Sequence, residues 1–350
     1  AGLPGGGGTP PTPPGYAKIS PRRPRPGPPA SPTTGRRKGR SALAYRFKFD
    51  DETVGAGMRR IAIGQIDKAI AEIDDSSLDA RLTVHQVRKR CKKVRGLVRL
   101  VRPAFRAYRQ ENAAYRDAAA ELSFLRDTEA LIETYDRVTG LYADQIDQPA
   151  LASIRERLTK RQAEAEARAD IADRLDAFRE KMVEAKVRAL RWTLKADDKD
   201  AFIDGVAETY GRARKAMKQA RKKPSAEVFH DWRKRIKYHG FHARLLTPAW
   251  EGPMAAHHAA ADTLGKMLGA HHDLDVFSAA LDAGPEAYGS AADIEVFRAL
   301  MERQRVGLEA AAFEIGERLL CEPADALAER WGAYWRAWRK TGDLPAALAA

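Results

Sequence analysis

Two stretches of this chain set histidine, arginine and lysine at helical spacing. In "VHQVRKRCKKVRGLVRLV" (Val84 to Val101), His85, Arg88, Lys92, Arg95 and Arg99, continued by Arg102, step by 3, 4, 3, 4 and 3 residues. On a helix that spacing is one continuous stripe. Val84, Val87, Cys91, Val94, Val98 and Val101 step the same way one residue earlier, so an apolar stripe lies about 100° around the helix from the basic one. The apolar stripe is expected to face a core, with Cys91 as a small core residue, while the basic stripe lines a groove. Like charges at these spacings cost about 0.2–0.5 kcal/mol per pair, so the row carries roughly 1–2 kcal/mol of self-repulsion. An ordinary solvated face relieves this with interleaved acids, yet residues 81–109 hold eleven basic residues and no acid. Such a row suits a polyanion: arginine grips oxyanions bidentately and lysine acts as a point charge.

The second stretch, "FHDWRKRIKYHGFHARLL" (Phe229 to Leu246), aligns with the first without a gap at an offset of 145 residues. His230 matches His85, Arg233 matches Arg88, Lys234 matches Lys89, Lys237 matches Lys92 and Arg244 matches Arg99. Tyr238 stands where the first copy has Lys93, and Gly240 where it has Arg95, so the two halves are expected to contribute unequally. Just upstream, "TYGRARKAMKQARKK" adds Arg212, Arg214 and Lys215. A second matched pair, "LSFLRDTEAL" (Leu122 to Leu131) and "LGAHHDLDVF" (Leu268 to Phe277), sets Arg126-Asp127 against His272-Asp273, which suggests a paired structural or anion role. His85 and His230 open the two stripes, between the basic and apolar faces. Two roles stand open for them: donation to phosphate, favoured at lower pH, or a structural bond to a neighbouring helix. Glycine inside a helix costs about 1 kcal/mol relative to alanine, so Gly96 and Gly240 predict close approach of another helix or of a ligand.

The elements that must carry these residues follow from composition. The 350 residues suffice for a full core,. The two cysteines, Cys91 and Cys321, form no disulfide framework, so a reducing compartment is expected. No apolar run of bilayer length and no basic-then-apolar leader is present; a soluble cytoplasmic protein with no membrane partner is the expectation. The net charge of +13 is uneven. Residues 1–40 carry eight basic residues and no acid, and residues 210–244 twelve basic residues and two acids, leaving the rest of the chain acidic, a polarisation suited to a polyanionic partner. Residues 1–42, rich in Gly and Pro without an apolar period, are expected to be a disordered basic tail. "YRFKF" (Tyr45 to Phe49) reads as a short extended lead-in. From Asp50 onward helix formers dominate, with Pro103, Pro149, Pro224 and Pro248 as stops or starts,. Helices are predicted near 51–75, 78–102, 111–138, 149–195 (with room for a break), 199–222, 225–246, 254–281, 289–320 and 324–341. The fold class is all-α: two pseudo-symmetric helical bundles from an internal duplication, around a central basic groove or channel. The halves are placed at about 43–145 and 146–345.

Taken in order, "YRFKFDDETVGAGMRRIAIGQID", "VHQVRKRCKKVR", "LSFLRD", "TYGRARKAM", "FHDWRKRIKY" and "LGAHHDLDVF" resemble the conserved histidine α-helical domain, the CHAD family, over about residues 43–345. The resemblance implies two helical bundles around a basic channel, binding of inorganic polyphosphate, and in some members a location at polyphosphate granules. Carried over by position, it implies ligand contacts at Arg88, Lys89, Lys92, Arg95 and Arg99, at Arg233, Lys234, Lys237 and Arg244, and at Arg212, Arg214 and Lys215. His85, Arg126 and His230 complete the candidate set.

The physics of a long anion agrees, since rows of cations gain from counterion release. The stripes lack the regularly interleaved aromatics that stack bases, which places nucleic acid second among polyanions. A metal-assisted phosphohydrolase at His271, His272 and Asp273 is the third reading, weakened because neighbours on a helix point about 100° apart. "EAEAR" (Glu164 to Arg168) superficially resembles the Glu-x-Glu-x-Lys signature of triphosphate tunnel enzymes. That signature needs a strand, whereas this segment lies in a helical run. No phosphate-binding glycine loop or nucleophile constellation is present. The expectation is a non-catalytic binding protein without metal or cofactor.

Overall fold

The computed structural model describes residues 45–342 apart from 147, 168 and 169, and leaves aside the side chains of 124–127, 148–150 and 166. The tail 1–42 lies outside the described residues, as do residues 43–44 and 343–345 at the ends of the expected domain. The described residues form eleven α-helices joined by short turns and no strand. These are α1 (Val54–Asp74), α2 (Ala80–Leu100), α3 (Tyr108–Glu121), α4 (Phe124–Leu141), α5 (Gln148–Ala167), α6 (Ile171–Leu190), α7 (Ile203–Lys222), α8 (Ala226–Leu245), α9 (Glu251–Ala283), α10 (Ala291–Leu319) and α11 (Ala324–Thr341). The all-α class is thus observed.

Local chemistry sets several ends. The hydroxyls of Thr53, Ser225 and Ser290 accept from Ala56, Val228 and Asp293 backbone N–H groups and cap α1, α8 and α10,. Pro103 follows the end of α2, and Pro248 sits in the short 3-10 turn after α8. Two predicted helical runs divide. The run expected over 111–138 breaks at Leu122–Ser123, where the Ser123 hydroxyl donates to the Ala120 carbonyl at 2.7 Å, taking an acceptor that the helix would otherwise use. The run expected over 149–195 breaks between α5 and α6.

Packing follows the apolar stripes. α1, α2, α3 and α6 pack each against the next in a closed ring. Val87, Cys91, Val94 and Val98 are buried in it, and burial pushes the Cys91 thiol up to about 12. α7, α8, α9 and α10 lie side by side in chain order, with α11 against α7. α4 and α5 pack together and against α9 and α10, around a second core that holds Tyr135, Ile154, Phe277 and Phe297. Between these groups α2 packs directly on both α7 and α8.

Two glycines permit that contact. A Cβ on Gly96 of α2 would stand 2.7 Å from Phe241 of α8 and 3.0 Å from the Tyr45 hydroxyl. A Cβ on Gly205 of α7 would stand 1.8 Å from the Leu100 carbonyl oxygen at the end of α2. The lead-in closes the same junction: the Phe47 backbone N–H donates to the Leu245 carbonyl at 3.0 Å, and the Tyr45 hydroxyl donates to the Lys93 carbonyl at 2.7 Å.

Candidate functional site

On α2 the basic stripe runs along the helix flank between α3 and α8. Arg88 reaches α3, where one Nη donates to the Ala119 carbonyl at 2.9 Å. One turn on, Lys92 is exposed, as are His85 and Lys89. Arg95 is half-buried, and its Nε donates to the Asn112 Oδ1 at 3.3 Å. Burial lowers the Arg95 pKa, with Arg99 and Arg116 adding repulsion. The Arg99 guanidinium lies 4.2 Å from the centroid of the Tyr238 ring of α8 and 5.9 Å from that of Tyr108 at the start of α3. The Arg102 guanidinium stands 5.5 Å from the centroid of the same Tyr108 ring. Arg95 and Arg99 are therefore positioned by neutral groups, an amide and aromatic rings, which leave their charge unspent.

On α8 the second stripe lies against α9. Arg233 and Lys237 cross α9 where it carries glycines. A Cβ on Gly269 would be 3.4 Å from the Arg233 Nε, and one on Gly265 3.2 Å from the Lys237 Cε. Lys237 stands 3.8 Å from Asp262, which also pairs with Lys266 at 2.9 Å. Burial lowers the Lys237 pKa, with Asp262 opposing the shift. Lys234 is exposed, with Asp231 at 3.4 Å. Arg244 is exposed at the far end of the stripe, and its charge adds to burial in lowering the pKa values of His258 and Lys93.

The structure brings the two stripes together at Tyr238 and separates some expected partners. Arg212 joins the α2 side, where it and Arg102 share Glu208. Lys215 is exposed one turn further along α7. Arg214 points elsewhere: its Nε donates to the Leu320 carbonyl at 3.0 Å and caps the end of α10,. Arg126 belongs to α4, and its side chain lies outside the described residues.

The histidines divide by environment. His230 is half-buried with its ring centroid 4.2 Å from that of His272. Burial, and then His272, Lys234 and Arg233, lower its pKa to about 4. His230 is thus neutral near pH 7, able to donate one hydrogen bond and accept another. The "HHD" residues turn to three different neighbours. His271 ties α9 to α10, with Nε2 2.9 Å from Glu309, Nδ1 3.2 Å from Asp275 and Phe229 stacked on its ring. Burial works against its charge, but the bonds to Asp275 and Glu309 outweigh it and raise the pKa. His272 faces His230, and Asp273 faces Arg137 of α4 at 3.9 Å. Glu164 and Glu166 lie inside α5, where residues i and i+2 do not share a face.

Several site residues were not read from the sequence. Tyr238 looked like a lost charge and is instead the aromatic rest for Arg99. Lys93 looked like one charge among many. Burial, then Arg90, Arg244, Lys89 and Lys68, lower its pKa to about 8. Arg106 and Arg109 keep the 3–4 spacing beyond Pro103 in "VRPAFRAYR", a signal available had the stripe not been ended at the proline. Lys195 gave no signal. It is brought in by a backbone bond to the Ala104 carbonyl at 2.9 Å.

Among the described residues no helix is long and apolar enough to cross a membrane. A family model described as CHAD domain matches residues 60–282, from α1 to the end of α9. No curated protein matches the chain.

Proposed function

The chain belongs to the CHAD family, and from that premise we propose that it is a non-catalytic receptor for inorganic polyphosphate, bound along the joined stripes of α2 and α8. One observation carries the reading: the two basic helices pack on each other, and at their junction Arg95 and Arg99 are held by Asn112, Tyr108 and Tyr238, with no carboxylate in an ion pair with either among the described residues. A repeating phosphate chain can exchange its counterions for such a row without any base being read. The rings of Tyr108 and Tyr238 beside the stripe already carry arginines on their faces, which disfavours them as stacking platforms for nucleobases. Location in the cytoplasm, at polyphosphate granules, is part of the same proposal.

Filter binding with long polyphosphate at several salt concentrations tests it. Affinity should fall steeply with salt, and the quadruple variant Arg88→Glu, Lys92→Glu, Arg233→Glu, Lys237→Glu should abolish binding. Absence of binding by the wild type, or unchanged binding by the variant, sinks the reading. RNA that displaces polyphosphate at equal phosphate concentration would favour nucleic acid instead. Phosphate release on addition of divalent metal would overturn the non-catalytic part alone.

A further inference from the structure

Where α2 ends, its stripe opens into a cavity of about 710 Å3. Its wall gathers Arg102, Arg106, Arg109, Lys195 and Arg212, five cations from three separate parts of the chain, with Glu208 as the carboxylate among them. The cavity falls within the roughly 300–1,000 Å3 typical of pockets for discrete ligands. α3 begins here at Tyr108, so the positive end of its helix dipole adds to the field. The opposing negative end of α2 is covered, because Gly205 sits directly over the Leu100 carbonyl. Crowding is visible in Arg102, whose pKa burial lowers, with Arg212 next among the causes.

We propose that this pocket captures the terminal phosphate of a polyphosphate chain, with Glu208 holding its place when it is empty. The inference rests on the polyphosphate reading above and deepens it. A chain that follows Arg95, Arg99 and Arg102 runs directly into the pocket, where Pro103 and Phe105 form part of the wall. A terminal phosphate carries a second ionisable oxygen, with a pKa near 6, that interior units lack. A cluster of five cations therefore matches the end of the chain rather than its middle. Glu208 bridges Arg102 and Arg212 and is half-buried between them, an internal anion that an arriving phosphate displaces.

The test measures binding of three probes: tripolyphosphate, long polyphosphate, and long polyphosphate with both ends blocked as phosphoramidates. The variants are Arg106→Ala with Arg109→Ala, both exposed positions, and separately Glu208→Gln. The double variant is expected to lose tenfold or more in affinity for tripolyphosphate, and less than twofold for the end-blocked chain. Glu208→Gln is expected to raise tripolyphosphate affinity about threefold. Equal losses for both probes in the double variant, or no tripolyphosphate binding by the wild type while the long chains bind, overturn the inference and leave the receptor reading intact. If neither long chain binds, the receptor reading falls; tripolyphosphate binding lost in the double variant then still supports the pocket as a phosphate site.

Discussion

The guanidinium of Arg99 rests 4.2 Å from the centre of the Tyr238 ring, so the cation that would meet a ligand on α2 is aimed by a residue of α8. A cation–π contact is worth about 0.5–1 kcal/mol where exposed and about 2 kcal/mol where desolvated. Tyr238→Phe keeps the ring and should bind polyphosphate as the wild type does. Tyr238→Ala releases the Arg99 side chain and should weaken binding about fivefold, the equivalent of about 1 kcal/mol. Equal affinities for Tyr238→Ala and wild type in the filter assay would show that the ring does not position Arg99 for binding.

The two stripes should also differ in weight. Lys234 and Lys237 have Asp231 and Asp262 within 4 Å, whereas Arg95 and Arg99 rest on an amide and on rings. Each cation lost from a phosphate-binding row lowers the salt slope by about 0.7 on the single-strand scale. Arg95→Ala with Arg99→Ala should therefore reduce the slope by about 1.4, and Lys234→Ala with Lys237→Ala by clearly less. Asp262→Asn should strengthen binding about two- to threefold, because it unmasks Lys237. A larger slope change for the α8 pair would reverse this ranking.

These asymmetries mark where sequence reading stops. The stripe His85 to Arg102, its flanking apolar row and the burial of Cys91 were legible, because a helix converts spacing into faces with no tertiary information. The break at Ser123 was not, since nothing but a hydroxyl competes with the backbone there. Arg214 shares its helix with Arg212, but α10 offers it a carbonyl, and no local pattern announces a partner a hundred residues away. The pocket beyond Pro103 draws Lys195 and Arg212 from distant segments, and only the closed fold sets them beside Arg106.

Gly205 should be intolerant of any side chain. An added Cβ would meet the Leu100 carbonyl oxygen at 1.8 Å, and backbone cannot yield as a side-chain tip can. Overpacking of this kind costs about 1–3 kcal/mol or more, which lowers the Tm of a domain this large by roughly 2–5 °C. Gly211, one and a half turns along the same helix, has as its nearest neighbour Ala324 Cβ at 3.5 Å. Gly211→Ala should be neutral or stabilising by up to about 1 kcal/mol. Thermal melts of the two variants separate helix propensity from the crossing. A Gly205→Ala protein as stable as Gly211→Ala would mean that α2 and α7 do not approach this closely.

Acid should destabilise the fold through the histidines buried in α8 and α9. His242 donates from Nε2 to the Gly96 carbonyl at 3.1 Å, and the Nε2 atoms of His239 and His257 lie 2.6 Å apart. Burial lowers His242 to about 3 and His257 to about 4, and puts His239 well below its ordinary value. The unfolded chain takes up these protons near pH 6.5 while the folded chain refuses them. Stability is therefore complete above about pH 6.5 and is lost as pH falls below it, at up to roughly 1.4 kcal/mol per pH unit for each histidine. His271 runs the other way: its raised pKa adds stability below about pH 6.5 that fades as pH rises through the folded value,. His230, His258 and His272, whose pKa burial also lowers, add to the losses; against the single gain they leave a net fall, so the Tm should drop steadily from pH 7 to pH 5. Gln at position 242 can still donate to the Gly96 carbonyl but cannot take up a proton, so His242→Gln should melt less steeply with pH than the wild type. An unchanged pH dependence in that variant would place the acid-sensitive step outside the contact between α8 and α2.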